Sequence, residues 1–301
     1  MVELPDPGDP GPGQVRLRMA HAPVNPADLL SIKGNYAFAL DAALPFGAEG
    51  VGIVEAVGAG VSDTRTGQLA LPLLRGNWCR VRVMDRQAIM PVPAGIDPVR
   101  AARLRINPAT ASLLLDASGC RSGDIVAQNA AGSSVARWVR YFAAQRGIAV
   151  IDIVRRPDPD VPGAIIDGPE LAGDILRATD GRRVSAALDC VAGSATDRLA
   201  RAVAPKGRVL IFGHLSGEPV SISSQLLTGG SLSVTGFSLR PAESELDPGA
   251  MDRMFETIFA AELGNGPDLT RETRVPLSQA GRAITLARDG GAGRILLDLA
   301  Q

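Results

Sequence analysis

Between Asp124 and Phe212, short apolar runs alternate with segments of helical composition, and this alternation restricts the fold more than any other feature of the chain. Asp124–Gln128, Ile148–Val154, Val184–Cys190 and Arg208–Phe212 read as strands. Ser133–Gln145, Leu171–Thr179 and Ala195–Val203 read as helices. A strand that returns parallel to its neighbour needs a crossover, usually a helix, so the pattern predicts parallel β-α-β units with helices on both sheet faces. Ser231–Phe237 alternates like a further strand behind Gly229-Gly230. One interval resists the pattern. Between Val154 and Ala164-Ile165-Ile166 lies only RRPDPDVPG, short for a crossover, which implies an extended loop or an irregular or absent strand.

The first hundred residues differ in character. Gln14–Met19 alternates polar and apolar, the period of a half-buried strand. Asn25 followed by Pro26 reads as a helix cap and first helical residue. Glycines crowd Phe46–Val61, marking strands with tight bends, and further strands are expected at Cys79–Val83 and Ala88–Pro91. Asp97–Leu115 is helical in composition. The tail predicts helices over Gly249–Leu263 and Leu277–Asp289 and a strand at Arg294–Leu299.

With 46% hydrophobic and 21% charged residues, the 301-residue chain has the composition of a folded protein. A net charge of -1 supplies no field for nucleic acid, and no apolar run approaches the roughly 18 residues of a membrane span. Neither partner is expected. The N-terminal MVELPDPGDPGPGQ lacks a basic start and an apolar core, so it is not read as a signal peptide. Cys79, Cys120 and Cys190 are odd in number and far apart, which predicts a reduced, cytoplasmic protein without disulfides or a zinc knuckle.

The stretch QNAAGSSVARW, Gln128–Trp138, occupies the position of a dinucleotide-binding loop but carries one glycine where the usual G-x-G-x-x-G has three. Such a loop needs small side chains so that backbone N–H groups approach a pyrophosphate at a helix N-terminus. Ala131, Ser133 and Ala136 meet that need, with Gly132 between the first two. Alone, the stretch reads equally as an ordinary capped turn. After the next strand, where an NAD-binding protein places an acid for the ribose 2′-hydroxyl, stand Arg155 and Arg156. Alone, this pair is also a solvated basic turn. Together the loop and the two guanidiniums favour NADP(H), whose 2′-phosphate accepts charge-assisted contacts.

At this point the sequence resembles the zinc-independent medium-chain dehydrogenase/reductases, and among them the 2-enoyl thioester reductases. The resemblance rests on VNPADLLSIKGNYAFALDAALPFGAEGVGIVEAVG, RGNWCRV, INPATA, QNAAGSSVARWV, IVRRPD, ALDCVAGSAT, GRVLIFGHL and TGFSL, in family order from Val24 to Leu239. It implies an α/β architecture: a central Rossmann-like, doubly wound parallel sheet domain over residues 106–240, and a GroES-like β-rich catalytic domain formed by residues 1–105 with 241–301. It implies NADPH contacts at Asn107, Gly132, Ser133, Ser134, Val135, Arg155, Arg156, Phe212, Gly213, His214, Leu215, Phe237, Ser238, Leu239 and Arg294. It implies a catalytic tyrosine at Tyr36 of GNY, a residue that by itself also reads as a hydrogen-bonded loop aromatic. It implies a homodimer paired through the strand Ser231–Phe237.

The chain departs from the family's pattern. Gly-Ser-Ser-Val-Ala replaces Asn-Ser-Gly-Val-Gly in the loop, and Ser238 stands where an aromatic is usual. A strand before Glu3-Leu4-Pro5 and a piece after the Arg155-Arg156-Pro157-Asp158 turn are missing.

The implied reaction adds hydride to the β-carbon and a proton to the α-carbon of a 2-enoyl thioester, so charge gathers on the thioester oxygen and a donor is needed there. A tyrosine hydroxyl, ordinarily titrating near 10, stays protonated at neutral pH and suits that task. Zinc-assisted chemistry is not expected: Gly47-Ala48-Glu49 replaces the Gly-His-Glu of zinc-dependent relatives, and His21 and His214 belong to no ligand cluster. A quinone or enone reductase and a non-catalytic NADPH-binding protein are the alternative readings.

Overall fold

The computed structural model describes residues 3, 5–35, 44–247, 249–264, 266–267, 272–289 and 293–300. By its internal packing the chain forms two units, Met1–Ile106 with Phe255–Gln301, and Asn107–Met254. In chain order the strands are β1 (Gln14–Pro23), β2 (Val51–Val57), β3 (Leu69–Pro72), β4 (Val81–Asp85), β5 (Ile89–Pro91), β6 (Ile125–Gln128), β7 (Ala149–Val154), β8 (Ile165–Ile166), β9 (Val184–Asp189), β10 (Val203–Ile211), β11 (Ser233–Gly236), β12 (Glu272–Pro276) and β13 (Arg294–Asp298). The helices are α1 (Pro26–Ile32), α2 (Pro98–Ala101), α3 (Asn107–Ser118), α4 (Ser134–Gln145), α5 (Leu171–Ala178), α6 (Ser194–Ala200), α7 (Ser224–Gly230), α8 (Leu239–Ser244), α9 (Ala250–Leu263) and α10 (Ala280–Asp289).

The first unit is β-rich because its longest strand, β1, is shared by three neighbours. It runs antiparallel to β2, β4 and β13, in a sheet ordered β12-β13-β1-β2-β3-β5. Alternation along β1 sends Val15, Leu17 and Met19 into a core with Val54, Ala70, Ile295, Leu297 and Leu299. Each of the larger side chains contributes about 1.5–3 kcal/mol by leaving water. This shared core is why two distant chain segments form one unit. It also carries β1 past the alternating stretch ending at Met19, since His21–Pro23 pair with β13.

The second unit is a parallel sheet ordered β11-β10-β9-β6-β7-β8. Counted from β6 as the first strand and read from the β8 edge, the order is 3-2-1-4-5-6, that of a doubly wound nucleotide-binding sheet. The expected fold class is therefore the observed one. Ile125, Ala127, Ile153, Val184, Ala187 and Val209 from four strands meet Leu171, Ile175 and Leu199 from α5 and α6.

Two differences from the sequence reading have physical causes, and the interval after Val154, left open above, takes the extended-loop alternative. The single helix expected over Asp97–Leu115 is two, α2 and α3; Pro108 cannot donate a backbone hydrogen bond and suits the first turn of a new helix. The chain remains in the second unit beyond the 240/241 boundary read from sequence, because α8 lies against α3. The short interval after β7 is a helix-free crossover into a two-residue strand, with Ile153 opposite Ile165 and Val154 opposite Ile166. That crossover folds back on the loop after β6, where Val161 packs against Ala131 and Val154.

Candidate cofactor site

The carboxyl ends of β6, β7, β9, β10 and β11 carry most of the residues singled out above, and in parallel sheets this end is where ligands bind. The loop after β6 leads directly into α4. Ser133 caps that helix, its hydroxyl accepting from the Ala136 N–H at 3.2 Å. Ala131 and Ala136 are buried, so their smallness serves packing beneath the loop. Gly132 is the exposed residue of the turn, with Ser133 and Val135 half-buried and Ser134 buried beside it. The first-turn N–H groups of α4 have no intrahelical acceptors and carry partial positive charge.

Asn129, immediately before this loop, ties it to the turn after β9. Its Nδ2 donates to Asp189 Oδ1 at 2.6 Å, and its Oδ1 accepts from the Cys190 N–H at 2.7 Å. The Asp189 carboxylate, fully buried, also accepts from the N–H groups of Val191 and Ala192, both at 2.9 Å, and from the Thr196 hydroxyl at 2.6 Å. Every donor around this carboxylate comes from a loop or helix start at the binding end of the sheet.

The turn after β10 passes close to the same place. Leu215 and Ser216 donate to the carbonyls of Cys190 and Val191 at 3.1 and 2.9 Å. A Cβ on Gly213 would lie 2.5 Å from the Cys190 carbonyl oxygen and 2.6 Å from its Sγ. Glycine is needed there for space. Burial pushes the Cys190 thiol up to about 12, so it is no nucleophile. Phe212 and Phe237 are half-buried where β10 and β11 end, and Phe237 donates to the Ile211 carbonyl at 2.8 Å. His214 and Leu215 are exposed; Ser238 precedes α8, which opens at Leu239.

Arg155 and Arg156 are exposed beyond β7. Asn107 opens α3 with 8% exposure, and its Nδ2 has no hydrogen-bond partner among the described residues. A buried, unpaired amide costs about 1–3 kcal/mol unless a ligand or water accepts from it. The residues present thus fit a dinucleotide phosphate: a small-residue loop at a helix start, two free-standing guanidiniums beyond the next strand, and an unsatisfied amide donor. Arg294 belongs to the first unit. It opens β13 in the first unit, where its charge acts on Glu49. Tyr36 lies outside the described residues.

The first unit contains a buried polar cluster that the sequence reading did not assign. Asn25 Nδ2 donates to Glu49 Oε1 at 2.9 Å, and the Asn25 N–H donates to Asp28 Oδ2 at 2.9 Å. Asp28 Oδ1 accepts from the Ala48 N–H at 2.8 Å, and Glu49 Oε2 accepts from the Ile106 N–H at 2.8 Å. Both carboxylates are fully buried. Burial raises both, Asp28 to about 6, against the hydrogen bonds that favour the charged form. Glu49 is therefore engaged as a structural brace between α1 and the chain leading into α3. Among the described residues no cluster of three or more His, Cys, Asp or Glu could hold a metal ion.

The unassigned residues had a partial signal. Asn129 and Asp189 belong to QNAAGSSVARWV and ALDCVAGSAT, but their pairing across 60 positions is invisible in either motif. Asn25, Asp28 and Glu49 likewise sit within VNPAD and GAEG.

Residues 11–96 match the alcohol dehydrogenase GroES-like domain. The chain is 30% identical, over 95% of its length and 86% of the relative's, to a mitochondrial enoyl-[acyl-carrier-protein] reductase of Dictyostelium discoideum. It is 33% identical to the Homo sapiens protein of the same name, over 81% of this chain and 69% of that one. Its fold matches a Bacillus thuringiensis protein assigned as an NADPH:quinone reductase, with a TM-score of 0.88, 26% identity, and coverage of 97% of this chain and 92% of that one. The expected cytoplasmic location is overturned by the curated relatives, which are named as mitochondrial. Unpaired thiols report a reducing environment and carry no information on which compartment provides it. With its GroES-like domain, its doubly wound sheet and its identity to enoyl reductases along nearly the whole chain, this protein belongs to the enoyl thioester reductase family of the zinc-independent medium-chain dehydrogenase/reductases, and is an oxidoreductase.

Proposed function

We propose that this chain reduces the carbon–carbon double bond of a 2-enoyl thioester with NADPH. What supports the reading is the position of Gly132–Val135 and Arg155–Arg156 after the carboxyl ends of β6 and β7, with the buried Asn107 amide at the start of α3, in a chain similar to enoyl-[acyl-carrier-protein] reductases. The chemistry NADPH supplies when bound is hydride delivery to the β-carbon. The chain's own part is orientation and charge stabilisation. The α4 N-terminus and Ser133 hold the pyrophosphate, Arg155 and Arg156 take the 2′-phosphate, and the Asn107 amide donates into the site. The Tyr36 hydroxyl donates a hydrogen bond to the thioester oxygen as negative charge gathers there. A proton from solvent water, which leaves hydroxide to be neutralised by the medium, adds at the α-carbon to complete the reduction.

A quinone reductase is the second reading, favoured by the 26%-identical relative assigned to that activity. Turnover of a crotonyl thioester and of a small quinone, each followed by the loss of NADPH absorbance, separates the two. Faster turnover of the thioester is expected. Faster turnover of the quinone would transfer the assignment to the second reading, and no turnover of either would remove both.

A further inference from the structure

The crossover between β7 and β8 carries, beyond its arginine pair, an acidic feature. Lacking a helix, residues 155–164 lie as a strap on the loop after β6. Val161, 5% exposed, seats on Ala131 and Val154. The strap is closed by the Val161 N–H donating to the Asp158 carbonyl at 3.0 Å and by the Ala164 N–H donating to the Val161 carbonyl at 3.3 Å. Arg137 of α4 reaches Asp160 at 3.3 Å. The two backbone bonds and the Val161 seat, which do not depend on the Asp160 side chain, hold Asp158 against the middle of the loop. A Cβ built on Gly132 would lie 2.7 Å from Asp158 Oδ2 and 3.9 Å from Cγ. Oδ1 accepts from the Asp160 N–H at 2.9 Å, which fixes the carboxylate and leaves Oδ2 over Gly132.

We propose that Asp158 is a specificity-determining residue of the dinucleotide site: its carboxylate at Gly132 accepts from the ribose 2′-hydroxyl and opposes the preference for a 2′-phosphate set by Arg155 and Arg156. This rests on the NADPH reading above. In doubly wound folds the acid that meets the 2′-hydroxyl follows the second strand and lies beside the small-residue loop. Asp158 follows the second strand of this sheet by four residues and touches that loop, although the position directly after the strand holds arginine. A carboxylate accepts from a hydroxyl but repels a phosphate, and a guanidinium attracts the phosphate. With both signs at one ribose, NADPH is preferred and NADH is retained as a usable cofactor.

The test is the affinity of the protein for NADPH and NADH by calorimetry, with 2′-AMP and AMP as fragments that carry the ribose end alone. Asp158→Asn keeps an oxygen for the Asp160 N–H, and Asp158→Ser supplies a second, smaller replacement. Both are expected to raise the NADPH-to-NADH affinity ratio about tenfold or more, with the 2′-AMP-to-AMP ratio moving the same way. Asp160→Asn, the neighbouring acid turned to Arg137, leaves the ratio unchanged. Ratios within twofold of the parent in both Asp158 variants, or an equal shift in Asp160→Asn, would overturn the proposal while the NADPH reading stands. A parent protein that binds neither dinucleotide would remove both.

Discussion

Asn129 and Asp189, 60 residues apart, meet through a 2.6 Å hydrogen bond that joins the ends of β6 and β9. The bond itself is buried at the binding end of the sheet, so water does not replace it when it is lost. Asp189→Ala leaves the Asn129 amide, the Ala192 N–H and the Thr196 hydroxyl without their acceptor. At about 1–3 kcal/mol for each stranded donor, a loss of at least about 3 kcal/mol in unfolding free energy is expected by urea titration. Asp189→Asn should cost less, because an amide oxygen serves the N–H donors while the Thr196 hydroxyl turns to accept. Equal losses in the two variants would contradict this account of the cluster.

Arg155 and Arg156 are exposed beyond β7 and free to meet a 2′-phosphate. One charge-assisted pair is worth about 1.5–3 kcal/mol. Replacing both arginines with alanine should weaken NADPH binding at least about tenfold and leave NADH binding nearly unchanged. Fluorescence titration with each dinucleotide reads both constants, and parallel weakening of the two would count against the assignment.

Tyr36→Phe removes one oxygen and keeps the ring. If the hydroxyl donates to the thioester oxygen, turnover of the enoyl thioester falls about 10²–10³-fold, the size of losing an oxyanion donor, while NADPH affinity barely changes. Near-native turnover in this variant would exclude the catalytic role.

Burial holds the Asp28 carboxyl up at about 6, above its ordinary value near 3.8, despite the bonds from Asn25 and Ala48 and the nearby Arg75. The folded protein therefore binds this proton more tightly than the unfolded chain. The stability Asp28 contributes is fully present below about pH 4 and is lost as pH rises through about 6, a change of about 3 kcal/mol. Relative to Asp28→Asn, which cannot titrate there, the parent should lose that amount between pH 4 and 6.5 in denaturant titrations. Parallel pH profiles of the two proteins would refute it.

Among the described residues β11 is an edge strand, paired with β10. An open, regular edge invites its two-fold mate, so a homodimer is expected at micromolar concentration by light scattering. A monomeric mass would argue against pairing through Ser233–Gly236.

The sequence by itself determined the alternation from Asp124 to Phe212, and with it the parallel sheet, because apolar periodicity and helix caps such as Ser133 are properties of neighbouring residues. It also determined the family, through short motifs spread along most of the chain. The tertiary structure alone decided what depends on residues far apart. Pairing with β13 extends β1 to Pro23, and a two-residue β8 survives because β7 offers it a partner. The same holds for the site. Arginine follows β7 in the sequence, yet the helix-free crossover turns back and lays Asp158 against Gly132. Asn129 and Asp189 find one another only once β6 and β9 lie side by side. A carboxylate's neighbours are set by the path of the chain through space, and one-dimensional spacing carries no record of that path.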